Sequence, residues 1–454
     1  MNAFIILACA GVLCMMAEVF HMKRAIISII GLALVCAFVA NVMEWNQGSS
    51  YFHGMMIMDN FALAFSNVVI FISMLWLAMS KSYFAVESNT AEHSSLILFA
   101  LCGGIVMISY GDLTMLFLGI EILSISLYVL SSSDKRNIRS NEAGLKYFLM
   151  GAFATCFLLF GITLIYGATG TFHLQSIAEN LHSMQHSMPM MVYAGILLMM
   201  VGLCFKVAAV PFHFWAPDVY EGAPTLITAF MATVVKTSAF AAFYRLFSNC
   251  FVEYASHWAP SLAIIAAITI VIGNTLAVYQ QSFKRMLAYS SIAHAGYMLI
   301  AVVSLNTISA GAILLYALAY SLSSIGAFAL LHSVSANGDE KISALKGLAR
   351  SNPLMAFSMV IIILSLAGIP PVAGFFAKYY IFYGALGSGY TWLVLIAIAG
   401  SLIGVYYYFR VLYTMFQEQD NVSAIHIPHQ YLIFFTAILS LILGLMPSWI
   451  QGLL

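Results

Sequence analysis

Two stretches decide the fold of this 454-residue chain, GLCFKVAAVPFHFWAPDVYEGAPT at 202–225 and AGIPPVAGFFAKYYIF at 367–382. Each places a lysine, Lys206 or Lys378, inside an apolar run, with proline close by. Proline removes a backbone hydrogen-bond donor and interrupts a helix. Within a bilayer, the freed carbonyl groups are tolerated only inside protein or beside a water-filled cavity. Both stretches therefore predict a helix that is broken in a hydrated pocket next to a buried lysine.

The overall composition places these runs in a membrane. Hydrophobic residues make up 63% of the chain and charged residues only 7%, whereas a soluble protein carries about 25% charged residues. A chain with so few charges could not cover its surface in water, which excludes a soluble enzyme, a nucleic-acid binder and a disordered tail. The seven cysteines show no CxxC or Cys/His spacing, so no disulfide framework, Fe–S cluster, covalent haem or metal site is indicated.

Counting apolar runs of about 20 residues predicts an all-α polytopic membrane protein of about 14 transmembrane helices. The predicted spans lie near 2–21, 25–43, 58–80, 94–110, 112–131, 143–167, 189–210, 225–247, 257–280, 286–304, 307–333, 352–385, 391–414 and 429–447. The twelfth span contains the helix break at Pro370 and Pro371, and the seventh contains the break at Pro211.

Positive charge is distributed unevenly between alternate loops. The even loops hold only Arg245, whereas the odd loops or their edges hold Lys23, Arg24, Lys81, Lys135, Arg136, Arg139, Lys284, Arg285, Lys341, Lys346, Arg350 and Arg410. Cytoplasmic loops are the ones enriched in Lys and Arg. Both termini are therefore predicted on the opposite, periplasmic side.

Six ionisable side chains within the predicted spans are candidates for proton transfer: Glu121, Lys146, Lys206, Lys236, His294 and Lys378. Each costs at least about 2.5–3.5 kcal/mol to insert at membrane depth. A lysine can lose and regain its proton when buried, whereas arginine stays charged. Lysines, one carboxylate and one histidine with no buried arginine therefore fit a proton relay better than a voltage sensor. The alternatives are a snorkelling Lys146, a neutral core His294, and inert ion pairs at the other positions.

Equal spacing suggests an internal repeat. Glu121 and His294 are 173 positions apart, and Lys206 and Lys378 are 172 apart. This offset pairs spans four to eight, 94–247, with spans nine to thirteen, 257–414. Five spans is an odd number, so the second copy enters the membrane inverted, as in ion-coupled transporters. Three helices at 1–93 precede the repeats and one at 429–447 follows them.

Three motifs carry a resemblance to a known family. The two stretches quoted above and FKRMLAYSSIAHAGY at 283–297 resemble the signatures of the antiporter-like membrane subunits of respiratory complex I. The resemblance runs from about the third span to the thirteenth. It implies a coupled Glu121–Lys206 pair, a central Lys236, a terminal Lys378, and relay roles for His294 and for Lys146.

The resemblance also implies where other components belong. NADH, FMN, Fe–S clusters and quinone are expected in partner subunits, with no cofactor on this chain. Expected neighbours are other membrane-arm subunits, of the antiporter-like M type and the small K type, together with the lipid bilayer. The expected location is a bacterial inner membrane.

The resulting hypothesis is a proton-pumping unit of a larger redox complex, driven by electron transfer in other subunits. One alternative is an Mrp-type or stand-alone cation/proton antiporter that is driven by an ion gradient. Another is a membrane scaffold with inert ion pairs.

Overall fold

A computed structural model describes residues 1–86, 89–183, 189–335, 340–418 and 429–454. Within those ranges, eleven helices are long and apolar enough to cross a membrane, and three shorter apolar helices lie at Met190–Lys206, Pro353–Ala367 and Gln430–Leu445. Each predicted span overlaps one of these helices. The all-α multi-pass membrane fold is therefore confirmed, while the exact number of crossings and the inverted repeat stay predictions.

The chain folds into two compact units. The first comprises Met1–Ala208 and Val234–Leu262, and the second comprises Ala209–Thr233 and Ala263–Leu454. The boundaries of the predicted repeats stay a prediction, because the two units are defined by the contacts inside each unit and not by internal repetition.

The first unit contains α1 (Asn2–Val19), α2 (Ile26–Met43), α3 (Asn60–Val86), α4 (Thr90–Ser109), α5 (Leu113–Ser131), α6 (Ile138–Thr169), α7 (Leu174–Ser183) and α8 (Met190–Lys206). It also contains α11 (Lys236–Asn249), which lies further along the chain. Two short strands, β1 (Ser49–Tyr51) and β2 (Met56–Met58), form an antiparallel hairpin between α2 and α3.

The helices of the second unit are α9 (Trp215–Gly222), α10 (Thr225–Phe230), α13 (Phe283–Ser304), α14 (Ser309–Ser335), α15 (Leu348–Ser351), α16 (Pro353–Ala367), α17 (Ala373–Gly387), α18 (Thr391–Phe416), α19 (Gln430–Leu445) and α20 (Ser448–Gln451). Helix α12 (Ala255–Val278) begins in the first unit and continues into the second.

The predicted loop at 168–188 contains a helix. Helix α7 buries Leu174, Ile177 and Leu181 on one face. These positions follow the three- and four-residue spacing of an amphipathic surface helix. A search for long apolar runs missed α7 because its other face is polar.

Both proline stretches interrupt helices. Helix α8 ends at Lys206 and α9 begins at Trp215, so the chain around Pro211 is not helical. Helix α16 ends at Ala367 and α17 begins at Ala373, across Pro370 and Pro371. A further irregularity, absent from the sequence reading, is one turn of π-helix at Met231–Val235, between α10 and α11.

Close packing of α4 on α5 depends on glycine. A Cβ built on Gly119 would lie 2.7 Å from the Met107 nitrogen and 3.0 Å from the Gly103 carbonyl oxygen. Both neighbours are backbone atoms that no side-chain rotation can move. The two helices therefore approach closely at the level of Glu121, as small residues allow in membranes.

Candidate functional site

Lys206 is the last residue of α8 and is buried. Its ammonium group donates to the Ser124 hydroxyl of α5 and lies 6.0 Å from the centre of the Tyr128 ring. The helix stops here because Pro211 cannot continue the ladder and because Ala208 adopts a positive φ of 59°. Positive charge in the last turn of a helix is favoured by the helix dipole.

Glu121 lies on α5, one turn before Ser124. Its Oε1 atom is buried and has no hydrogen-bond partner in the part of the chain that the structure describes. Within the described ranges no salt bridge joins this carboxylate to Lys206. The Lys206 ammonium therefore binds Ser124 and not its predicted partner.

Lys236 is buried and is the first residue of α11, directly after the π-helical turn. Turns of π-helix inside α-helices are frequent at functional sites, since they leave backbone groups outside the regular ladder. The π-helical turn therefore places a backbone irregularity beside Lys236, just as helix breaks lie beside Lys206 and Lys378. Hydropathy could not have found it, because the π turn is as apolar as its surroundings.

Lys146 differs from the other lysines. Its side chain is 40% exposed in this chain and pairs with Glu142 at 2.7 Å, four residues earlier on α6. Pairs at this spacing are a normal feature of helix surfaces. The structure does not bring Lys146 into a buried cluster, and its predicted role in proton transfer stays a prediction.

His294 is buried in α13 between two tyrosines. Its Nδ1 atom is 2.7 Å from the Tyr316 hydroxyl, and its Nε2 atom is 3.2 Å from the Tyr408 hydroxyl. A cavity of about 10 Å³, room for about one water molecule, lies beside the ring and is also lined by Ser323 and Ser365. The imidazole therefore has hydroxyl groups at both nitrogens and a small cavity alongside.

Lys378 of α17 is buried beside the second break. Its ammonium donates to the Ala367 carbonyl oxygen and to the Ser401 hydroxyl, both at 2.8 Å, and lies 4.9 Å from the centre of the Tyr297 ring. Ala367 is the last residue of α16, so its carbonyl has no partner within that helix. The lysine thus satisfies a backbone group that the helix break sets free.

A groove lined mainly by apolar and aromatic side chains leads to Lys378. It has a volume of about 410 Å³ and is bordered by Phe375, Tyr379 and Phe382, among others. Lys378 and Ser401 supply its polar atoms along with backbone at the break. The lysine is therefore buried within the fold but is near an open groove.

Two basic residues that were assigned to loops are buried instead. Lys284, at the start of α13, donates to the backbone oxygens of Ala223 (2.7 Å) and Glu221 (3.0 Å) at the end of α9, and pairs with Glu340 at 3.4 Å. The sequence placed it in a loop or at a loop edge, whereas it is buried in the first turn of α13. Ser282 caps α13 and indicates only where the helix begins. Nothing near Lys284 in the sequence indicates that its partners are the carbonyl oxygens at the end of α9.

The expectation that no arginine is buried was also wrong. The Arg245 side chain is only 2% exposed and pairs with Asp59 at 2.5 Å. Its guanidinium also lies 5.1 Å from the centre of the Phe61 ring. Asp59 lies 186 positions from Arg245 in the sequence, so sequence spacing gives no indication of this ion pair. This pair lies at one end of α11 and α3, which fits a structural role.

A comparison with protein families identifies the chain. The family described as NADH:quinone oxidoreductase/Mrp antiporter, TM matches residues 111–404. The chain belongs to this family. The match spans the helices that carry Glu121, both proline breaks and His294, so the resemblance drawn from the three motifs is confirmed.

Curated relatives match almost the full length of the chain. A protein of Cytophaga hutchinsonii named NADH-quinone oxidoreductase subunit N is 42% identical over 423 residues, covering 92% of this chain and 91% of the relative. The protein of the same name from Flavobacterium psychrophilum is 38% identical over 458 residues, covering both chains fully. Both relatives carry the name subunit N over nearly the full length of this chain, so the likeness is to the N type.

Solved structures share the fold. A chain of respiratory complex I from Thermus thermophilus has a TM-score of 0.85 and 32% identity, covering 99% of this chain and 98% of that one. A chain of the Mrp complex from Dietzia has a TM-score of 0.88 at 21% identity, covering 99% and 95%, and shows the fold alone.

Proposed function

We propose that this chain is the N-type proton-translocating membrane subunit of a bacterial NADH:quinone oxidoreductase. The observation that carries the proposal is the bonding of Lys206 and Lys378. Each is buried beside a helix break, and each hydrogen bonds to hydroxyl or carbonyl oxygen rather than to a carboxylate. A lysine locked in a salt bridge is held in its charged form, whereas one held by neutral groups can release its proton.

The proposed route begins at Glu121. When its carboxylate moves away from Lys206, the ammonium loses electrostatic support and passes its proton through water to Lys236. His294 then receives the proton and delivers it towards Lys378 and release. Ser124, which already binds the Lys206 ammonium, would hold the lysine in place between the two states.

The energy for each transfer comes from outside this chain. Moving one charge against about 100 mV costs about 2.3 kcal/mol, which a set of side chains at equilibrium cannot supply. Electron transfer from NADH to quinone releases that energy in partner subunits that hold FMN and Fe–S clusters. It arrives here as a displacement or a change of charge along neighbouring membrane subunits, of the M type and the K type, while this chain itself holds no redox group.

Replacement of Lys206 tests the route. In the assembled complex, Lys206→Ala should abolish NADH-driven proton pumping in membrane vesicles and slow quinone-linked NADH oxidation. Lys346→Ala is the matched control, because Lys346 is an exposed lysine outside the spans. If pumping and NADH oxidation by Lys206→Ala both equalled those of the control, the buried lysines would be scaffold groups and the relay would be wrong.

The second candidate is a cation/proton antiporter, which the description of the matching family, NADH:quinone oxidoreductase/Mrp antiporter, favours. Cofractionation separates the two candidates. A subunit of the redox complex should elute with NADH dehydrogenase activity in mild detergent, and an antiporter subunit should elute without it.

The orientation follows from the charged loops. With the lysine- and arginine-rich loops in the cytoplasm, both termini face the periplasm of the inner membrane. A protease-sensitive tag on the amino terminus should then be cleaved in spheroplasts whose inner membrane is intact.

A further inference from the structure

A row of side chains that form hydrogen bonds lies between His294 and Lys378 inside the second unit. We name it the hydroxyl chain, and its members in order are Tyr408, Tyr407, Asn274, Tyr297 and Ser401. All the named contacts lie between helices α12, α13, α17 and α18. If protons could move along this chain, His294 and Lys378 would exchange them without any conformational change.

The His294 end of the chain consists of hydroxyl groups. The Tyr408 hydroxyl lies 3.2 Å from His294 Nε2 and also contacts the Ser290 hydroxyl. The neighbouring Tyr407 ring lies 4.5 Å from the Tyr408 ring, centre to centre, and its hydroxyl donates to Asn274 Oδ1 at 3.2 Å. Hydroxyl groups both accept and donate, so this half of the chain can pass protons.

The Lys378 end is built in the same way. Lys378 donates to the Ser401 hydroxyl at 2.8 Å, and its ammonium lies 4.9 Å from the centre of the Tyr297 ring. The Tyr297 oxygen accepts a hydrogen bond from Asn274 Nδ2 at 3.1 Å. Here too each hydroxyl can take a proton on one side and release one on the other.

Asn274 joins the two halves and is itself buried. Its orientation is fixed, because the amide nitrogen donates to the Ile270 carbonyl oxygen at 2.8 Å and a carbonyl oxygen can only accept. Gly400 and Gly404 of α18 leave the amide room: a Cβ on either would lie 3.2 Å from one of its polar atoms. The amide is thus held by three hydrogen bonds against a backbone without side chains.

An amide cannot continue a proton relay as a hydroxyl does. Its oxygen only accepts and its nitrogen only donates, so relaying a proton would require conversion to the unstable imidic acid form. We propose that Asn274 is an insulating junction: it positions Tyr407 and Tyr297 while blocking proton exchange between His294 and Lys378 along the hydroxyl chain. Exchange is then left to the cavity beside His294, where Ser323 and Ser365 lie next to the α16–α17 break.

This inference rests on the proposed function, in which both His294 and Lys378 carry protons. Its consequence is control, because the cavity route runs beside a helix break whose two halves can move, whereas the hydroxyl chain is fixed. By blocking the hydroxyl chain, Asn274 keeps the protonation of His294 separate from that of Lys378 and prevents protons from returning from Lys378 to His294.

The test is Asn274→Asp in the assembled complex. A neutral carboxyl group can take a proton from Tyr407 on one oxygen while its other oxygen gives a proton to Tyr297. Tyr297 then protonates Ser401, Ser401 protonates neutral Lys378, and Tyr407 is restored through Tyr408 from protonated His294. One proton has moved from His294 to Lys378, and every relay group is neutral again. The carboxyl proton now lies on the oxygen that faces Tyr407, so the carboxyl and hydroxyl groups must rotate before the next transfer.

Vesicles containing Asn274→Asp should lose the NADH-driven pH gradient, and after an acid pulse without NADH they should conduct protons faster than wild type. NADH oxidation should continue. Asn274→Leu, which fills the same space without a titratable group, should stay proton-tight, and Asn274→Asp with Tyr407→Phe should regain tightness. An assembled Asn274→Asp complex that holds its gradient like wild type would overturn the proposal.

Tyr407→Phe alone decides the matter if Asn274→Asp fails to assemble. An insulated chain carries no protons, so this variant should pump as wild type does. Reduced proton pumping per NADH oxidised would show that the hydroxyl chain conducts, and the junction would not be an insulator. The proposed relay is tested separately by Lys206→Ala. An acid-pulse result that contradicts the insulating junction therefore leaves the proposed proton-pumping function to be judged by that other variant.

Discussion

Gly119→Ala changes no titratable group, yet it should impair proton pumping. The added Cβ would meet the Met107 nitrogen at 2.7 Å, while ordinary contacts begin at 3.4 Å. Because the opposing atoms are backbone, α4 and α5 must separate by about 0.7 Å at this level. Overpacking of this kind costs about 1–3 kcal/mol.

The displacement reaches the proposed site directly. Glu121 is two residues beyond Gly119, and Ser124, which binds the Lys206 ammonium, is one turn further. Misplacing reacting groups by about 1 Å can slow a reaction on the order of 100-fold. We expect the rate of NADH-driven proton pumping by Gly119→Ala to fall by on the order of 10- to 100-fold, in complexes that still assemble.

The assay compares proton uptake by vesicles with the amount of assembled complex. Gly387→Ala is the matched control, because no atom lies within 4 Å of a Cβ at that position in α17. The control should pump normally. If Gly119→Ala assembled and pumped at the rate of Gly387→Ala, close contact between α4 and α5 would have no bearing on the position of Glu121.

Three further substitutions have defined outcomes. Gly368→Ala should slow pumping, because Gly368 has a φ of 81° and a Cβ there would lie 2.9 Å from the Lys378 ammonium; Lys378 accessibility to an amine reagent would report the change. Asp59→Ala should reduce assembled complex on native gels, since it leaves buried Arg245 without its carboxylate; breaking a fully buried pair costs about 3–5 kcal/mol, and the partly exposed Asp59 places the loss below that. Lys284→Met should lower the thermal stability of the purified complex, because two carbonyl groups that end α9 lose their donor at about 1–3 kcal/mol each; an unchanged melting temperature would contradict this bonding.

The sequence was sufficient wherever the signal is local. A hydrophobic run long enough to cross the bilayer is helical because backbone groups in lipid must bond within the segment. A lysine or glutamate within such a run is recognisable as a candidate functional residue, because an ionisable group at membrane depth has a high insertion cost. For the same reason the prolines that end α8 and α16 could be interpreted without any knowledge of the packing.

The partners of those groups were not predictable. Ser124 lies 82 positions from Lys206, and Ser401 lies 23 from Lys378. Both are serines within apolar runs that contain other serines, so residue type did not distinguish them. The π-helical turn before Lys236 is a change of backbone ladder that leaves no mark on hydropathy.

The sequence by itself determined that this chain is a membrane protein with buried amines beside broken helices, because composition and proline act through local free energies. Only the tertiary structure decided that Lys284 and Arg245 are buried, and that Asn274 joins two hydroxyl groups. Burial of a charged or amide group depends on which distant carbonyl, carboxylate or hydroxyl packs against it. That choice is made when helices meet and is absent from the order of residues along any one of them.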